Sequence, residues 1–207
     1  MIQLFQIIVL VFSAIIHEYM HGYVAYYLGD STAKDLGRLT LNPIPHIDLF
    51  GSILLPLLMV FSGTGFVFGW AKPVPFNPYN LRDKKWGVAK VAAAGPLGNL
   101  IIALFFGLWL RFVPLGGGAM DSLLAVVVLI NLVLMIFNLV PIPPLDGSKV
   151  LAAFLPLRWQ EKLFALERYG MILVILFIVF GYQLIAPLIN FAFLVVTGHN
   201  LNFYFLG

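Results

Sequence analysis

His17-Glu18-Tyr19-Met20-His21 sets two imidazoles four residues apart, with a carboxylate beside the first. On a helix, residues four apart share one face, with Cβ atoms about 5–6 Å from each other. Both rings can then converge on a single divalent ion, with Zn–N distances near about 2.0 Å. Glu18 lies next to that face, where its carboxylate can take a proton from a water activated at the ion. A polar cluster that packs helices without metal is the competing reading. The surrounding run is apolar, and each ionisable group in such a run costs roughly 3 kcal/mol unless it is paired or ligated. That cost favours metal binding.

Two histidines leave such an ion short of a ligand, because a catalytic zinc site keeps three protein ligands and an open position. Asp146 follows the proline-rich run Pro141-Ile142-Pro143-Pro144-Leu145, and Gly147 comes next. Prolines end a helix there and leave backbone groups in need of partners. An ordinary Asp-Gly turn is the plain alternative. His46 and Asp48 are further candidates, although they sit in a polar loop where solvated residues are normal. His199, near the C-terminus, reads as a surface residue.

These groups must be positioned by elements that live in lipid. Of the 207 residues, 61% are hydrophobic and 10% are charged, with mean hydropathy +0.99. A soluble domain carries roughly 25% charged residues. A helical span needs about 20 apolar residues. Ile2–Leu28, Val88–Val113, Ser122–Val140 and Met171–Val196 meet that need, the last with weak points at Gly181 and Pro187. Leu49–Trp70 is apolar but interrupted by Pro56 and by Ser62-Gly63-Thr64-Gly65. Met1 leads into the first run without a basic leader or a small-residue cleavage site, so that run is expected to be a retained span. Pro156–Tyr169 alternates charged with aromatic residues and predicts an amphipathic surface helix. Gly37 to Pro43 alternates like a short strand, and Leu39–Asn42 within it could offer an edge to an unwound substrate. The expected class is an all-α polytopic membrane protein of about four to six membrane segments, with a β-like element near 37–43.

Charge and cysteine content narrow the rest. A net charge of +3, with basic residues in the loops, fits lipid headgroups and not nucleic acid. The absence of cysteine excludes thiolate ligands and disulfides. If Leu49–Trp70 dips in and returns, eleven of the twelve Lys and Arg residues share one face and Arg111 alone lies opposite. The positive-inside rule favours this over a nine-to-three division with five crossings. It implies an outside N-terminus, four crossings, one re-entrant segment, and first and fourth segments running in the same direction.

With these motifs assembled, the chain resembles the site-2 protease family of intramembrane zinc metalloproteases, over roughly Ile15 to Lys149. The resemblance rests on His17–His21, on Gly37–Pro43 with Pro45-His46-Ile47-Asp48, and on Gly69-Trp70-Ala71-Lys72-Pro73-Val74-Pro75. Gly95-Pro96-Leu97-Gly98-Asn99 and the stretch from Asn138 through Asp146-Gly147 complete it. It implies that His17, His21 and Asp146 bind one Zn2+, and that Glu18 is the general base and later the proton donor. It also implies that Asn99 lies near the active site, where its amide could hold substrate or the oxyanion; helix packing through Gly95-x-x-x-Asn99 is the alternative. Substrates would be membrane-spanning or membrane-anchored proteins, and the setting a plasma membrane crossed several times. One domain over 1–207 is expected, with a core at 1–150, an amphipathic helix and last span at 151–207, and neither a PDZ nor a CBS module. The rival class is a non-catalytic membrane metal-binding or transport protein, against which stand the absence of an internal repeat and the ready-made Glu18.

Overall fold

The computed structural model describes residues 2–62, 71–113 and 118–205. Helix α1 (Ile2–Tyr27) carries the histidines and ends where Gly29 takes φ +108°. Gly29 N donates to Tyr26 O and Asp30 N to Ala25 O, so two of the last carbonyls of α1 are satisfied by the chain that turns away. A short helix α2 (Thr32–Asp35) follows. After a π-helical stretch at Leu49–Leu54 comes α3 (Leu55–Phe61). The long helices α4 (Gly87–Phe112) and α5 (Ala119–Asn138) form the centre. Then come α6 (Asp146–Ala152), α7 (Leu157–Ala165), α8 (Gly170–Leu176), α9 (Tyr182–Thr197) and α10 (Leu201–Phe205). A π-helical segment, Phe177–Gly181, joins α8 to α9 at the expected weak point.

Among the described residues, four stretches are long and apolar enough to cross a membrane: Gln3–Tyr27, Gly87–Phe112, Ala119–Asn138 and Leu157–Thr197. Their outer faces carry large apolar side chains such as Phe105, Ile101, Leu184 and Phe191, all more than half exposed. In lipid such a surface needs no cover. The packed interior is built between α4, α5 and α9, where Ala103, Val128, Leu132 and Phe193 are fully or almost fully buried. The chain is a multi-pass integral membrane protein with an all-helical fold.

Hydrogen bonds between helices give their directions. Asn131 on α5 meets Ser13 on α1, and Asp146 beyond the end of α5 meets His17 and His21. Positions rise together, so α1 and α5 are parallel. On α4, Asn99 meets His17 while Val91 meets His21, so α4 runs the opposite way.

The strand expected near 37–43 does not form. Gly37 N and Arg38 N close the end of α2, donating to Lys34 O and Ala33 O. Asn42 N bonds to Thr40 Oγ1 and Ile44 N to Asn42 Oδ1. With no strand beside them among the described residues, these backbone groups take local side-chain partners, as Asn and Thr in turns commonly provide. The edge expected to receive substrate at 39–42 is therefore absent. The second half of the expected re-entrant segment, with Gly63-Thr64-Gly65 and Gly69-Trp70, lies outside the described residues.

Candidate metal centre and active site

His17 and His21 lie one turn apart on α1, with ring centroids separated by 4.6 Å and ring planes at 84°. Each ring is held from behind. His17 Nδ1 bonds to Asn99 Oδ1 at 2.6 Å, and His21 Nδ1 to Val91 O at 2.7 Å. Both partners are acceptors, so each Nδ1 carries the proton and each Nε2 presents a lone pair. The two Nε2 atoms face one carboxylate oxygen, Asp146 Oδ2, at 3.1 and 3.2 Å.

Three lone-pair donors thus converge on one point, and all three ligand atoms lie within 4.8 Å of one another. Such an arrangement is repulsive without a cation at its centre. A tetrahedral zinc with bonds near 2.0 Å separates its ligand atoms by about 3.3 Å, close to the spacings here. Gly95 on α4 supplies the room. A Cβ there would sit 2.6 Å from His17 Nε2 and would also run into His21 Nε2. The donor set and the space beside it fit zinc.

Asp146 arrives through the proline-rich turn after α5. Leu145 N donates to Ile142 O, and Ser148 Oγ to Leu145 O. Gly147 is required at this place, because a Cβ would collide with the Leu139 carbonyl and lie 2.6 Å from Val140 O. Asp146 is buried and presents Oδ2 to the two imidazoles. Its other oxygen, Oδ1, faces Lys149 Nζ at 3.7 Å.

Glu18 sits beside the cluster, and its Oε2 accepts a 2.8 Å hydrogen bond from Val74 N. In Pro73-Val74-Pro75 the middle residue alone has an N–H. Gly22 lets this segment lie against α1, for a Cβ there would be 2.9 Å from Val74 Cγ1. Arg38 fastens the segment by donating to Lys72 O at 2.9 Å and to Pro73 O at 3.3 Å.

The cluster opens into a cavity of about 470 Å³. His17, Glu18, His21, Asp146, Asn138 and Lys149 form its polar wall, and Leu134, Phe137, Met171 and Val174 belong to its apolar one. Among the lining residues Lys149 is the one cation.

Asn99 stands behind His17 and not in this cavity. It is fully buried, its oxygen faces His17, and its amide donates to Ser13 O and Asn131 Oδ1. The other candidates lie elsewhere. His46 is buried with Nε2 against Thr40 O, Asp48 accepts from Gly51 N, and His199 stacks on Phe203. Sequence reasoning singled out neither Ser13 nor Asn131; the available signal was a polar residue in an apolar span.

Several known proteins are similar to this chain. The profile of Peptidase family M50 matches residues 115–181, a stretch that contains Asp146. YwhC of Bacillus subtilis (strain 168) is 38% identical over 195 residues, which cover 89% of this chain and 85% of that protein. Rip2 of Mycolicibacterium smegmatis is 30% identical over 169 residues, covering 81% of this chain and 63% of Rip2. MJ0611 of Methanocaldococcus jannaschii is 38% identical over 96 residues, 44% of each chain. All three carry the words zinc metalloprotease in their names. No solved structure matches. With HExxH on a membrane helix, an aspartate brought to it from beyond α5, and a relative matched along nearly its whole length, the chain belongs to Peptidase family M50, the site-2 protease family of intramembrane zinc metalloproteases.

Proposed function

We propose that His17, His21 and Asp146 hold a zinc ion and that Glu18 is the base that activates water to cut membrane-spanning or membrane-anchored proteins. The observation that carries this reading is the convergence of His17 Nε2, His21 Nε2 and Asp146 Oδ2 on one point at the wall of a cavity. When bound, zinc supplies Lewis-acid polarisation of the scissile carbonyl and of water.

The chain's own residues do the rest. Asn99 and Val91 O orient the two imidazoles. Val74 N–H holds one oxygen of Glu18, and the carboxylate faces the cavity, where it takes a proton from the attacking water. Water adds to the carbonyl carbon, Glu18 returns the proton to the departing nitrogen, and the C–N bond breaks. Lys149 lends positive charge to the same cavity. Asn99 acts by orienting His17 and does not touch substrate. The apolar wall of Leu134, Phe137, Met171 and Val174 suits an apolar segment unwound from a helix.

The whole chain, 1–207, acts as one protease domain with its core at 1–150. Its place is the plasma membrane, with the zinc nearer the cytoplasmic face on which all basic residues but Arg111 gather.

A substrate trap tests this reading. Cells expressing Glu18→Gln in place of the wild type should accumulate uncut membrane-spanning proteins, identified by mass spectrometry, while the purified variant keeps its zinc. Near-normal proteolysis by Glu18→Gln would remove Glu18 from the role of base.

A further inference from the structure

The hydrogen bond that aims His17 is itself held by residues outside the cavity. Asn99 Oδ1 accepts from His17 Nδ1 at 2.6 Å, while Asn99 Nδ2 donates to Ser13 O at 3.2 Å and to Asn131 Oδ1 at 2.9 Å. Asn131 Nδ2 donates in turn to Ser13 Oγ and to Val127 O, both at 2.9 Å. Ser13 is 3% exposed, and Asn99 and Asn131 are 0% exposed. None of the three lines the cavity.

The sense of this chain of bonds is determined by the backbone. Val127 O and Ser13 O are carbonyl oxygens and can only accept. Asn131 must therefore turn its NH2 toward Val127 and its oxygen toward Asn99. Asn99, facing Ser13 O and Asn131 Oδ1, must turn its NH2 to them and its oxygen to His17. An oxygen at that place keeps the proton on Nδ1 and leaves the lone pair on Nε2, toward Asp146. If Asn99 were free to flip, its NH2 would face Nδ1 and favour the tautomer with the proton on Nε2, which cannot ligate there.

We propose that Asn131, supported by Ser13, is a positioning residue for the zinc ligand His17 and acts through Asn99. The inference rests on His17 being a ligand. It differs from ordinary helix packing by polar residues, which would stabilise α1, α4 and α5 without regard to the tautomer of His17. Residues one shell out from a metal typically change its affinity about 10–100-fold, and here the effect must pass through one amide.

The test is a double-mutant cycle on the full-length protein in detergent micelles, read as the Kd for zinc from chelator competition. Melting of the metal-free protein is measured alongside. Asn131→Leu keeps the volume in a membrane helix and should weaken zinc about 10–100-fold. In an Asn99→Ala background the same change should weaken zinc no further, because the amide it orients is gone. Unchanged affinity in Asn131→Leu, or an equal loss in both backgrounds, would overturn the proposal and leave Asn131 as a packing residue. Should Asn131→Leu not fold, Ser13→Ala carries the same cycle. It removes one acceptor of Asn131 Nδ2, with a smaller loss expected, again only when Asn99 is present. His17→Ala is the control for the underlying reading. If it keeps full zinc affinity, the ligand assignment fails and not the relay alone.

Discussion

Lys72 N donates to His46 O at 2.8 Å. The chain between these residues holds the helical stretch Leu49–Leu54, α3 and the whole of Leu49–Trp70. Its two ends are hydrogen-bonded to each other, so the segment comes back to the side it left. Arg82 N donates to Leu28 O at 2.9 Å, which likewise joins the chain leading into α4 to the residue just past α1. A re-entrant segment with four crossings would require such a meeting of its flanks, and the count of basic residues favours the same arrangement.

Topology is therefore open to direct labelling in this cysteine-free chain. Single cysteines replacing Leu36 and Tyr79, which are 62% and 87% exposed, should react from the same, cytoplasmic side. A cysteine replacing Met120 should react from the other. Labelling of positions 36 and 79 from opposite faces would exclude the re-entrant arrangement.

Gly95→Ala should uncouple metal binding from stability. In a helix, Ala is favoured over Gly by roughly 0.5–1 kcal/mol. Here the added methyl meets both Nε2 atoms and displaces the rings. Zinc affinity should fall at least about 10-fold, a loss on the scale of disturbed metal surroundings. The metal-free protein should melt no more than slightly lower. Zinc titration and thermal melting of the same sample check this. Full affinity in Gly95→Ala would mean that the space beside His17 and His21 is not where the ion sits.

Asp30 predicts an acid limit to the loop that carries Val74. It is fully buried and accepts hydrogen bonds from Thr32 Oγ1, Asn77 N and Asn80 Nδ2 at 2.6, 2.7 and 2.8 Å. Burial works to raise its pKa, but these donors outweigh it and hold the carboxyl below the ordinary value of 3.8. A carboxyl held low in the folded state contributes stability that is fully present above the unfolded value. That contribution is lost as pH falls below about 3.8 toward the folded value. Melting in detergent should accordingly be insensitive to Asp30 across neutral pH and should weaken under strong acid. Asp30→Ala should cost about 1–3 kcal/mol at pH 7 by leaving buried donors unpaired, and should flatten the acid dependence. An unchanged acid profile in Asp30→Ala would assign that dependence to another group.

Much of the site could be read from the chain because its chemistry is local. The spacing of His17 and His21 is one helical turn, and an ionisable group in an apolar run already asks for a partner. Asp146 was legible as the acid after a proline-rich helix stop, although only packing brings it to the histidines. What was not legible arises between helices. Asn99 and Asn131 look alike in sequence, as single amides in apolar runs, and their sense comes from the carbonyls of Ser13 and Val127. Gly95 reads as a packing glycine, yet the atoms it avoids are Nε2 of His17 and Nε2 of His21. Residues 37–43 alternate like a strand, but a strand needs a neighbour, and nearby Asn and Thr side chains take its backbone groups instead.

Zinc content measured by mass spectrometry on purified, dialysed protein tests the central claim most directly. The wild type should hold about one zinc per chain, as a three-ligand catalytic site does. Asp146→Ala should lose most of it, while His46→Ala and Asp48→Ala keep it. Wild-type zinc content in Asp146→Ala would contradict the account, because the cluster of His17, His21 and Asp146 would then not be the metal site.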